Sequence, residues 1–251
     1  MQVQVMTFNI RYDTKDDGIN CFDGRKALVK AFLDREKPDV IGFQEVLPHV
    51  RAWLCENLPD YTVLGMGRNA DYSGESVSIA FRKDKFDLVE FHQFWLSDTP
   101  DVPGSRYLLD QSACPRISVQ ASLVSRTEGK VFTFANTHLD HVGKYAQVCG
   151  ASLLMNKLLS GQKYPFVLTG DFNATPKQEA IRAIKAIKGV RDLTAGVKGT
   201  TYHGYGKLDN AKIDYIFSNR PAVKDSLTVH KDCENGIWIS DHYPISVTVD
   251  F

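Results

Sequence analysis

Short apolar runs alternate with longer amphipathic segments along the chain, and this pattern predicts a mixture of strands and helices. Apolar and polar residues alternate between positions 117 and 123, which is typical of a strand that buries one face. Strands are predicted at residues 3–9, 40–45, 76–82, 86–91, 117–123, 130–138, 166–169, 213–217 and 244–250. Helices are predicted where apolar residues recur at helical spacing, at residues 23–37, 48–58 and 176–188 and from the region of Ala146 to near Gly161.

The order of these elements favours an α+β fold. Strands outnumber helices, and hairpin-like connections are mixed with connections that run through a helix. The steady strand–helix alternation of an eight-fold barrel is missing, whereas two packed sheets with helices outside them fit the pattern. No internal repeat and no linker rich in Pro, Gly or Ser divides the sequence, so we expect residues 1–251 to form a single domain.

Composition is that of an ordinary globular protein, with 43% hydrophobic and 24% charged residues. The formal net charge is zero, so nucleic acid is a possible partner that no basic surplus supports. Five widely spaced cysteines without a CxxC pair indicate free thiols rather than a disulfide framework or a zinc ribbon. No apolar run has the length of a membrane span, and we expect a cytoplasmic protein if no leader has been removed.

Acidic, amide and histidine side chains recur at or beside the ends of the predicted strands. They are Asn9, Glu45, His138, Asp140, Asp171, Asn173, Asp214, Asp241 and His242. Several carboxylates directed into one cleft repel each other, and burying them is costly unless a cation neutralises them. Because Mg²⁺ and similar hard cations prefer oxygen ligands, the pattern predicts a metal-dependent enzyme that acts on phosphate esters.

Six motifs resemble, in order, those of the endonuclease/exonuclease/phosphatase superfamily: MTFNIRYD, PDVIGFQEV, NTHLDH, LTGDFNATP, IDYIF and SDHYPI. The resemblance runs from Asn9 to His242, and the stretches GMGRNADYSGES and FWLSDTPDVPGS are most similar to a bacterial subgroup. It implies a four-layer α/β/β/α sandwich in which two mixed β-sheets pack face to face. It also implies an active site at one edge of the two sheets, with Mg²⁺ or Mn²⁺ as the cofactor.

Metal ligands are the first roles that the resemblance implies. Glu45, which follows an apolar strand, is the leading candidate, and Asn9, Asp241 and Asp140 are further candidates. Residues of these types at strand ends also act as helix caps or turn formers, so a purely structural interpretation stays open for each.

The resemblance further implies a catalytic pair and a catalytic histidine. Asp171 would activate the attacking water, and Asn173 would orient the phosphate or the nucleophile, since residues two apart on an extended chain face the same way. The alternative for this pair is an Asx-turn. His242 would contact nonbridging phosphate oxygens or transfer a proton, with Asp241 fixing its tautomer.

Three more residues would support catalysis. His138 would bind the phosphate or stabilise the leaving oxygen, and Glu75 is its candidate partner. Asp214 would support a histidine or the metal. The alternatives are a solvated surface charge for Glu75 and a core carboxylate held by backbone amides for Asp214.

Two arginines and two aromatic residues are candidates for substrate binding. Arg116 and Arg68 would bind phosphate, and Trp95 and Tyr107 would form a wall for the alcohol part of the substrate. Residues 201–206, rich in glycine and aromatic side chains, would form a lip. Surface ion pairs and simple packing are the alternatives for all of them.

These residues favour hydrolysis of a phosphomonoester or phosphodiester by direct attack of water. No Ser or Cys lies in a recognisable nucleophile motif, which argues against a covalent phosphoenzyme. Zero net charge and an aromatic loop favour a small phosphorylated substrate of sugar, lipid-like or nucleotide type. A nuclease acting on DNA or RNA is the first alternative, and a catalytically inactive binding scaffold of the same fold is the second.

Overall fold

Two six-stranded β-sheets form the centre of the computed structural model, which describes residues 1–160, 163–209 and 212–251. The first sheet has the order β11 (Thr228–Val229), β14 (Ile245–Asp250), β1 (Gln2–Asn9), β2 (Val40–Val46), β4 (Ser76–Arg82) and β3 (Tyr61–Leu64). The second has the order β5 (Phe86–Trp95), β6 (Ile117–Ser125), β7 (Val131–His138), β8 (Phe166–Asp171), β10 (Asp214–Ser218) and β9 (Arg191–Asp192). Both sheets are mixed, because β1–β2 and β7–β8 are parallel pairs among antiparallel ones.

In the part of the chain that the structure describes, four α-helices cover the outer faces of the two sheets. They are α1 (Phe22–Glu36), α2 (Pro48–Asn57), α3 (Lys144–Ser160) and α4 (Glu179–Ala186). A 3-10 helix, Lys15–Asn20, precedes α1, and a short hairpin of β12 (Cys233–Glu234) and β13 (Ile237–Trp238) precedes β14. No helix within the described residues is both long and apolar enough to cross a membrane.

Three apolar clusters show how the layers pack. The central cluster lies between the sheets and includes Val5 of β1 and Leu123 of β6. One outer cluster joins Phe32 of α1 to the first sheet, and the other joins Leu154 of α3 to the second sheet. The predicted four-layer α/β/β/α sandwich with two mixed sheets is therefore confirmed.

Most predicted strands and helices are present, with differences at their ends. β5 continues four residues past the predicted end at position 91, because its antiparallel pairing with β6 continues as far as Trp95 and Ile117. Helix α4 is shorter than the predicted 176–188, since Gln178 and Thr175 close a turn before it. The short strands β3, β9, β11, β12 and β13 were not predicted. The predicted end of the third helix near Gly161 lies outside the described residues.

A buried arginine ties the loops around the first strand together. Arg25 of α1 is 0% exposed, and its guanidinium donates to the backbone carbonyls of Asn20, Ile10, Arg11 and Ile239. These carbonyls, rather than a carboxylate, are its hydrogen-bond partners within the described part of the chain. Arg25 thereby fixes the segment that follows β1 against the segment that precedes β14.

We expect the substitution Arg25→Met to lower the free energy of unfolding by about 2–4 kcal/mol, because it leaves several buried carbonyls without donors. Urea unfolding followed by circular dichroism measures this change. The matched control is Arg35→Met on the same helix, since the side chain of Arg35 is 56% exposed and its ion pairs are at the surface. Equal losses in the two variants would contradict the role given to Arg25.

Candidate active site

The candidate site lies where strand ends of the two sheets meet. In the second sheet, pairing places Asp171 opposite His138 on one side and opposite Asp214 on the other. In the first sheet, Asn9 is paired with Gln44, the residue before Glu45. Because the two sheets face each other, side chains far apart in sequence converge at this edge.

A cleft of about 470 Å³ opens at this edge. The predicted residues that line it are Glu45, Arg68, Glu75, Arg116, His138, Asp171, Asn173, Asp241 and His242. Two more predicted residues, Asn9 and Asp214, are hydrogen-bonded directly to residues that line it. Its lining also contains Tyr202 of the predicted lip and residues that were not predicted: Arg11, Tyr12, Cys114, His141 and Ile213.

Three non-glycine residues of the cleft have a left-handed backbone. The φ angles of Arg11, Glu45 and Asn173 are 63°, 64° and 46°. Each lies just past a strand or at a β-bulge, as for Glu45, where the pairing of β2 with β4 shifts register. Such conformations are unfavourable for residues with a Cβ and persist only where the surroundings fix them, so the cleft holds its side chains in imposed directions.

The side-chain amide of Asn9 lies at the centre of the acidic groups. Its Nδ2 donates to Glu45 Oε1 and to Asp171 Oδ2, both at 3.0 Å, and lies 3.4 Å from His242 Nε2. Its Oδ1 accepts the backbone N–H of Arg11 at 2.9 Å. The amide therefore turns its nitrogen to the acidic groups, and in this conformation Asn9 does not present the oxygen required of the predicted metal ligand.

Asp214, rather than the predicted Asp241, fixes the ring of His242. Nδ1 of His242 is 2.9 Å from Oδ2 of Asp214, so Nδ1 is the donor and Nε2 is turned towards Asp171 and Asn9. Burial alone would lower the pKa of His242, but the carboxylates of Asp214 and Asp171 outweigh it and raise that pKa to about 10. His242 is therefore an imidazolium at neutral pH that can donate from Nε2 to an anionic oxygen.

Asp171 has the environment of a general base. Its Oδ1 accepts the backbone N–H of Asn173 at 2.9 Å, and its Oδ2 lies 3.5 Å from His138 Nε2. Burial, and next the charge of Asp214, raise the pKa of Asp171 to about 7. A carboxylate whose pKa lies near neutrality combines a useful fraction of the ionised form with enough basicity to take a proton from water.

His138 is held as a neutral imidazole. Asn173 Nδ2 donates to His138 Nε2 and to the backbone carbonyl of Leu139, both at 3.0 Å, which requires an unprotonated Nε2. Burial, and next the positive charge of Arg116, keep the pKa of His138 well below its usual value. The ring thus accepts from Asn173 in this arrangement, and no carboxylate of an earlier loop is needed to orient it.

Glu75 lines the cleft but does not pair with His138 as predicted. Its carboxylate accepts two hydrogen bonds from the guanidinium of Arg68, at 2.7 and 2.9 Å. The reason is local, because the backbone N–H of Arg68 donates to the carbonyl of Glu75 and closes the loop that joins them. Arg68 is therefore partly neutralised before any substrate arrives.

Asp140 does not reach the cleft lining, in contrast to the prediction of a metal ligand. Its carboxylate accepts the backbone N–H groups of Ser112, Val142 and Gly143 and the hydroxyl of Ser112. These bonds keep the pKa of Asp140 near 2 although burial opposes them, so the carboxylate organises loops. It also lies 3.5 Å from Nε of Arg116, which it helps to place.

Arg116 lies in the loop before β6, is 5% exposed and lines the cleft. Its Nη2 is 2.8 Å from Nδ1 of His141, a residue that was not predicted. Its Nη1 has no hydrogen-bond partner among the described residues, which leaves a cationic donor for a ligand oxygen or water. His141 follows Asp140 in the motif NTHLDH, so its position was the available sequence signal.

Trp95 and Tyr107 do not line the cleft, in contrast to the predicted substrate wall. Trp95 is 4% exposed, packs in the central apolar cluster and donates from Nε1 to the backbone carbonyl of Arg68. Tyr107 is 6% exposed and packs in the cluster beneath α3. Their large apolar surfaces are used for packing, and Tyr202 from the predicted lip lies in the cleft instead, against His242.

Arg11 is the main residue that sequence reasoning missed. Its guanidinium donates to both carboxylate oxygens of Asp17, at 2.9 and 3.0 Å, and its Nε lies 3.6 Å from Asp241 Oδ2. Asp17 also accepts the hydroxyl of Tyr205 at 2.7 Å. The lip formed by residues 201–206 is therefore connected through Asp17 and Arg11 to a carboxylate of the cleft.

The donor set fits a hard divalent cation. One carboxylate oxygen of Glu45, one of Asp171 and a ring nitrogen of His242 all lie within 4.8 Å of one another. Since His242 is charged and paired with Asp214, the two carboxylates are the available anionic ligands. Burial, and next the charge of Glu45, raise the pKa of Asp241 beside them, so ionising all of these carboxylates together is unfavourable unless a cation neutralises them.

The description "Endonuclease/Exonuclease/phosphatase family" belongs to a family model that matches residues 6–242. An endonuclease/exonuclease/phosphatase from Bacteroides vulgatus has a similar structure, with a TM-score of 0.88 and 32% identity over 100% of this chain and 99% of that chain. A mannosyl-6-phosphatase of Bacteroides thetaiotaomicron has a TM-score of 0.83 and 28% identity over 99% of this chain and 100% of that chain. Uncharacterized protein L388 of Acanthamoeba polyphaga mimivirus is 25% identical over 185 residues, 70% of this chain and 68% of that protein.

Proposed function

The chain belongs to the endonuclease/exonuclease/phosphatase family, whose members are hydrolases of phosphate esters, and from that premise we propose that it hydrolyses a small phosphorylated compound by direct attack of water. The observation that carries the proposal is the convergence of Asp171, His242 and Glu45 around the amide of Asn9. Phosphoryl transfer to water requires a base whose pKa is near neutral, a charged hydrogen-bond donor and acidic side chains that bind a cation.

Asp171 positions the water and takes its proton. Its Oδ2 is directed towards the cleft beside the amide of Asn9, and a proton taken there leaves a neutral carboxyl group. His242 donates from Nε2 to a nonbridging phosphate oxygen, and Asp214 keeps the ring charged and oriented while it does so. A hydrogen-bond donor already in position thus stabilises the negative charge that develops on the phosphoryl oxygens. Such electrostatic stabilisation is the main form of catalysis for this reaction.

Arg116, whose Nη1 has no partner among the described residues, completes the binding of the phosphate. Asn173 Nδ2 and the ring of His138 lie together on one side of Asp171, and Arg116 follows along the same sheet edge. Glu45 would hold Mg²⁺ or Mn²⁺ beside Asp171, and such an ion, when bound, neutralises phosphate charge and stabilises the departing oxygen. Asp241, paired with Arg11, adds negative charge near the same position.

The size and charge of the cleft support a compact substrate. About 470 Å³ is in the range of small-molecule sites. Arg11 and Arg68 are each paired with a carboxylate, so two of the three arginines in the lining add no net charge for a long polyanion. The mannosyl-6-phosphatase of similar structure supports a sugar phosphate as the first substrate class to test.

A panel of phosphate esters tests this function. Phosphate release is measured with hexose 6-phosphates, nucleoside monophosphates and glycerophosphodiesters, and cleavage of plasmid DNA and of RNA is followed on gels, each with Mg²⁺ or Mn²⁺ and with EDTA. We expect turnover of a sugar phosphate that EDTA abolishes. Faster cleavage of DNA or RNA would favour the nuclease, and no turnover of any compound would favour the inactive scaffold.

We expect Glu45→Gln to weaken the activating dication by about 10–100-fold while the fold is kept, because it removes one anionic oxygen ligand. The concentration of Mn²⁺ that gives half-maximal activity measures this effect, and calorimetric titration with Mn²⁺ measures it without catalysis. Glu90→Gln, an exposed glutamate outside the cleft, is the control. An unchanged Mn²⁺ requirement in Glu45→Gln would remove Glu45 from the metal site.

A further inference from the structure

The buried side-chain amide of Asn136 joins the two sheets directly below the cleft. Asn136 of β7 is 0% exposed, and its Oδ1 accepts from Gln44 Nε2 at 2.7 Å and from Thr169 Oγ1 at 3.1 Å. Its Nδ2 donates to the carbonyls of Phe43 and Ser78, at 2.7 and 3.0 Å. All four hydrogen-bonding positions of the side chain are used, and the partners lie on β2, β4 and β8.

Asn136 holds the base of the bulge that orients Glu45. Phe43 is paired with Ser78, and the next paired residues are Val46 and Ser76, so two residues of β2 face one residue of β4. The donors of Asn136 are bonded to the carbonyls of Phe43 and Ser78, the last regular pair before this bulge. Beyond that pair the backbone of Glu45 is left-handed. The direction of the Glu45 side chain therefore depends on the position of the Phe43–Ser78 pair.

The same amide is connected to the opposite wall of the cleft. Thr169, which donates to Asn136 Oδ1, lies on β8 two residues before Asp171. Asn136 itself lies on β7 two residues before His138. One side chain is thus bonded within two or three residues of groups that the two different sheets contribute to the site.

Packing alone does not explain a polar group at this position. In the central apolar cluster the two sheets meet through residues such as Leu123 and Val5, which fill space without fixing a register. The contact at Asn136 leaves no room for adjustment, because a Cβ placed on Gly42 would come within 2.1 Å of Thr169 Oγ1 and 2.7 Å of Asn136 Oδ1. Beneath the site the sheets are therefore held closely and by a directional set of bonds.

We propose that Asn136 is a positioning residue, which keeps the carboxylates of Glu45 and Asp171 at the separation that a divalent cation needs. The inference rests on the proposed function, since it concerns the cation site of that reaction. Asn136 contacts neither the substrate nor the cation. It acts through the bulge of β2 on one side and through Thr169 of β8 on the other.

Binding of Mn²⁺ by calorimetry, at a temperature where each variant is folded by circular dichroism, tests the proposal. Asn136→Leu keeps a similar volume and removes all four bonds, and we expect the Kd for Mn²⁺ to rise about 10–100-fold. The control is Leu123→Ala, which destabilises the same interface at its apolar end and should leave the Kd near that of the wild type. Equal shifts in both variants, or no shift in Asn136→Leu, would overturn the proposal.

A second pair of variants decides the matter if Asn136→Leu does not fold. Thr169→Val removes the hydroxyl that donates to Asn136 without changing the shape of the side chain, and Thr169→Ser keeps that hydroxyl. We expect weaker Mn²⁺ binding in Thr169→Val and recovery in Thr169→Ser, whereas identical affinities would contradict the proposal. A wild-type protein that binds Mn²⁺ in this way but hydrolyses no phosphate ester would contradict the proposed function alone, and one that binds no Mn²⁺ would overturn both.

Discussion

Replacing Asp171 by Asn is expected to lower kcat by about 10³-fold, within the range attributed to a general base. The substitution keeps the shape of the side chain and the hydrogen bond from the backbone of Asn173, but it removes the group that takes the proton of water. The KM of the substrate is expected to change less than kcat, because the phosphate is held by His242 and Arg116. Steady-state kinetics at saturating dication measure both constants.

The same variant is expected to be more stable than the wild type when no dication is present. Burial and Asp214 raise the pKa of Asp171 from 3.8 to about 7, so the folded wild type loses stability as the pH rises from about 4 through 7. The amide of the Asp171→Asn variant has no proton to lose, so its advantage in Tm should appear at pH 8 and vanish at pH 4. The control Asp192→Asn changes a buried carboxylate outside the cleft and should keep kcat. Full activity in Asp171→Asn would exclude Asp171 as the base.

The sequence motifs identified many residues of the cleft, because residues at the ends of paired strands lie side by side at the edge of a sheet. Asp171 and His138 end paired strands, and the parallel pairing of β7 with β8 places them opposite each other. Asn173 lines the cleft and also belongs to an Asx-turn, since its backbone N–H donates to Asp171, and its part in orienting the phosphate or the nucleophile stays a prediction. Asp140, two residues beyond His138, does not line the cleft with it, because β7 ends at His138 and the alternation of side chains ends there.

Contacts between loops could not be predicted in the same way. The pairing of Glu75 with Arg68 depends on the conformation of the loop that joins them, and the hydrophobic periodicity of the sequence does not predict that conformation. The position of the Arg11 side chain depends on Asp17, which is close in sequence. Through Asp17 it also depends on Tyr205, which is 188 residues from Asp17. The packing of the whole fold determines such partners. A sequence motif can therefore identify a site residue but not the group that orients its side chain.

Replacing His242 by Gln is expected to lower kcat by about 10³-fold, since it removes a charged donor to the phosphate. Unlike Asp171→Asn, it should also destabilise the protein, by about 3–5 kcal/mol, because Asp214 is left buried without its partner. The double variant with His242→Gln and Asp214→Asn should regain stability but not activity. The control His230→Gln changes a buried histidine outside the cleft, which is bonded to Ser246, and should keep kcat.

The pH dependence distinguishes this ion pair from simple loss of packing. The pKa of His242 is raised from 6.5 to about 10, so its contribution is complete below pH 6.5 and is lost as the pH rises through 10. The difference in Tm between wild type and His242→Gln should therefore be largest near pH 6 and should shrink by pH 10. A difference that stays constant across this range would mean that His242 is not held as an imidazolium, and its assignment as the charged donor to phosphate would fail with it.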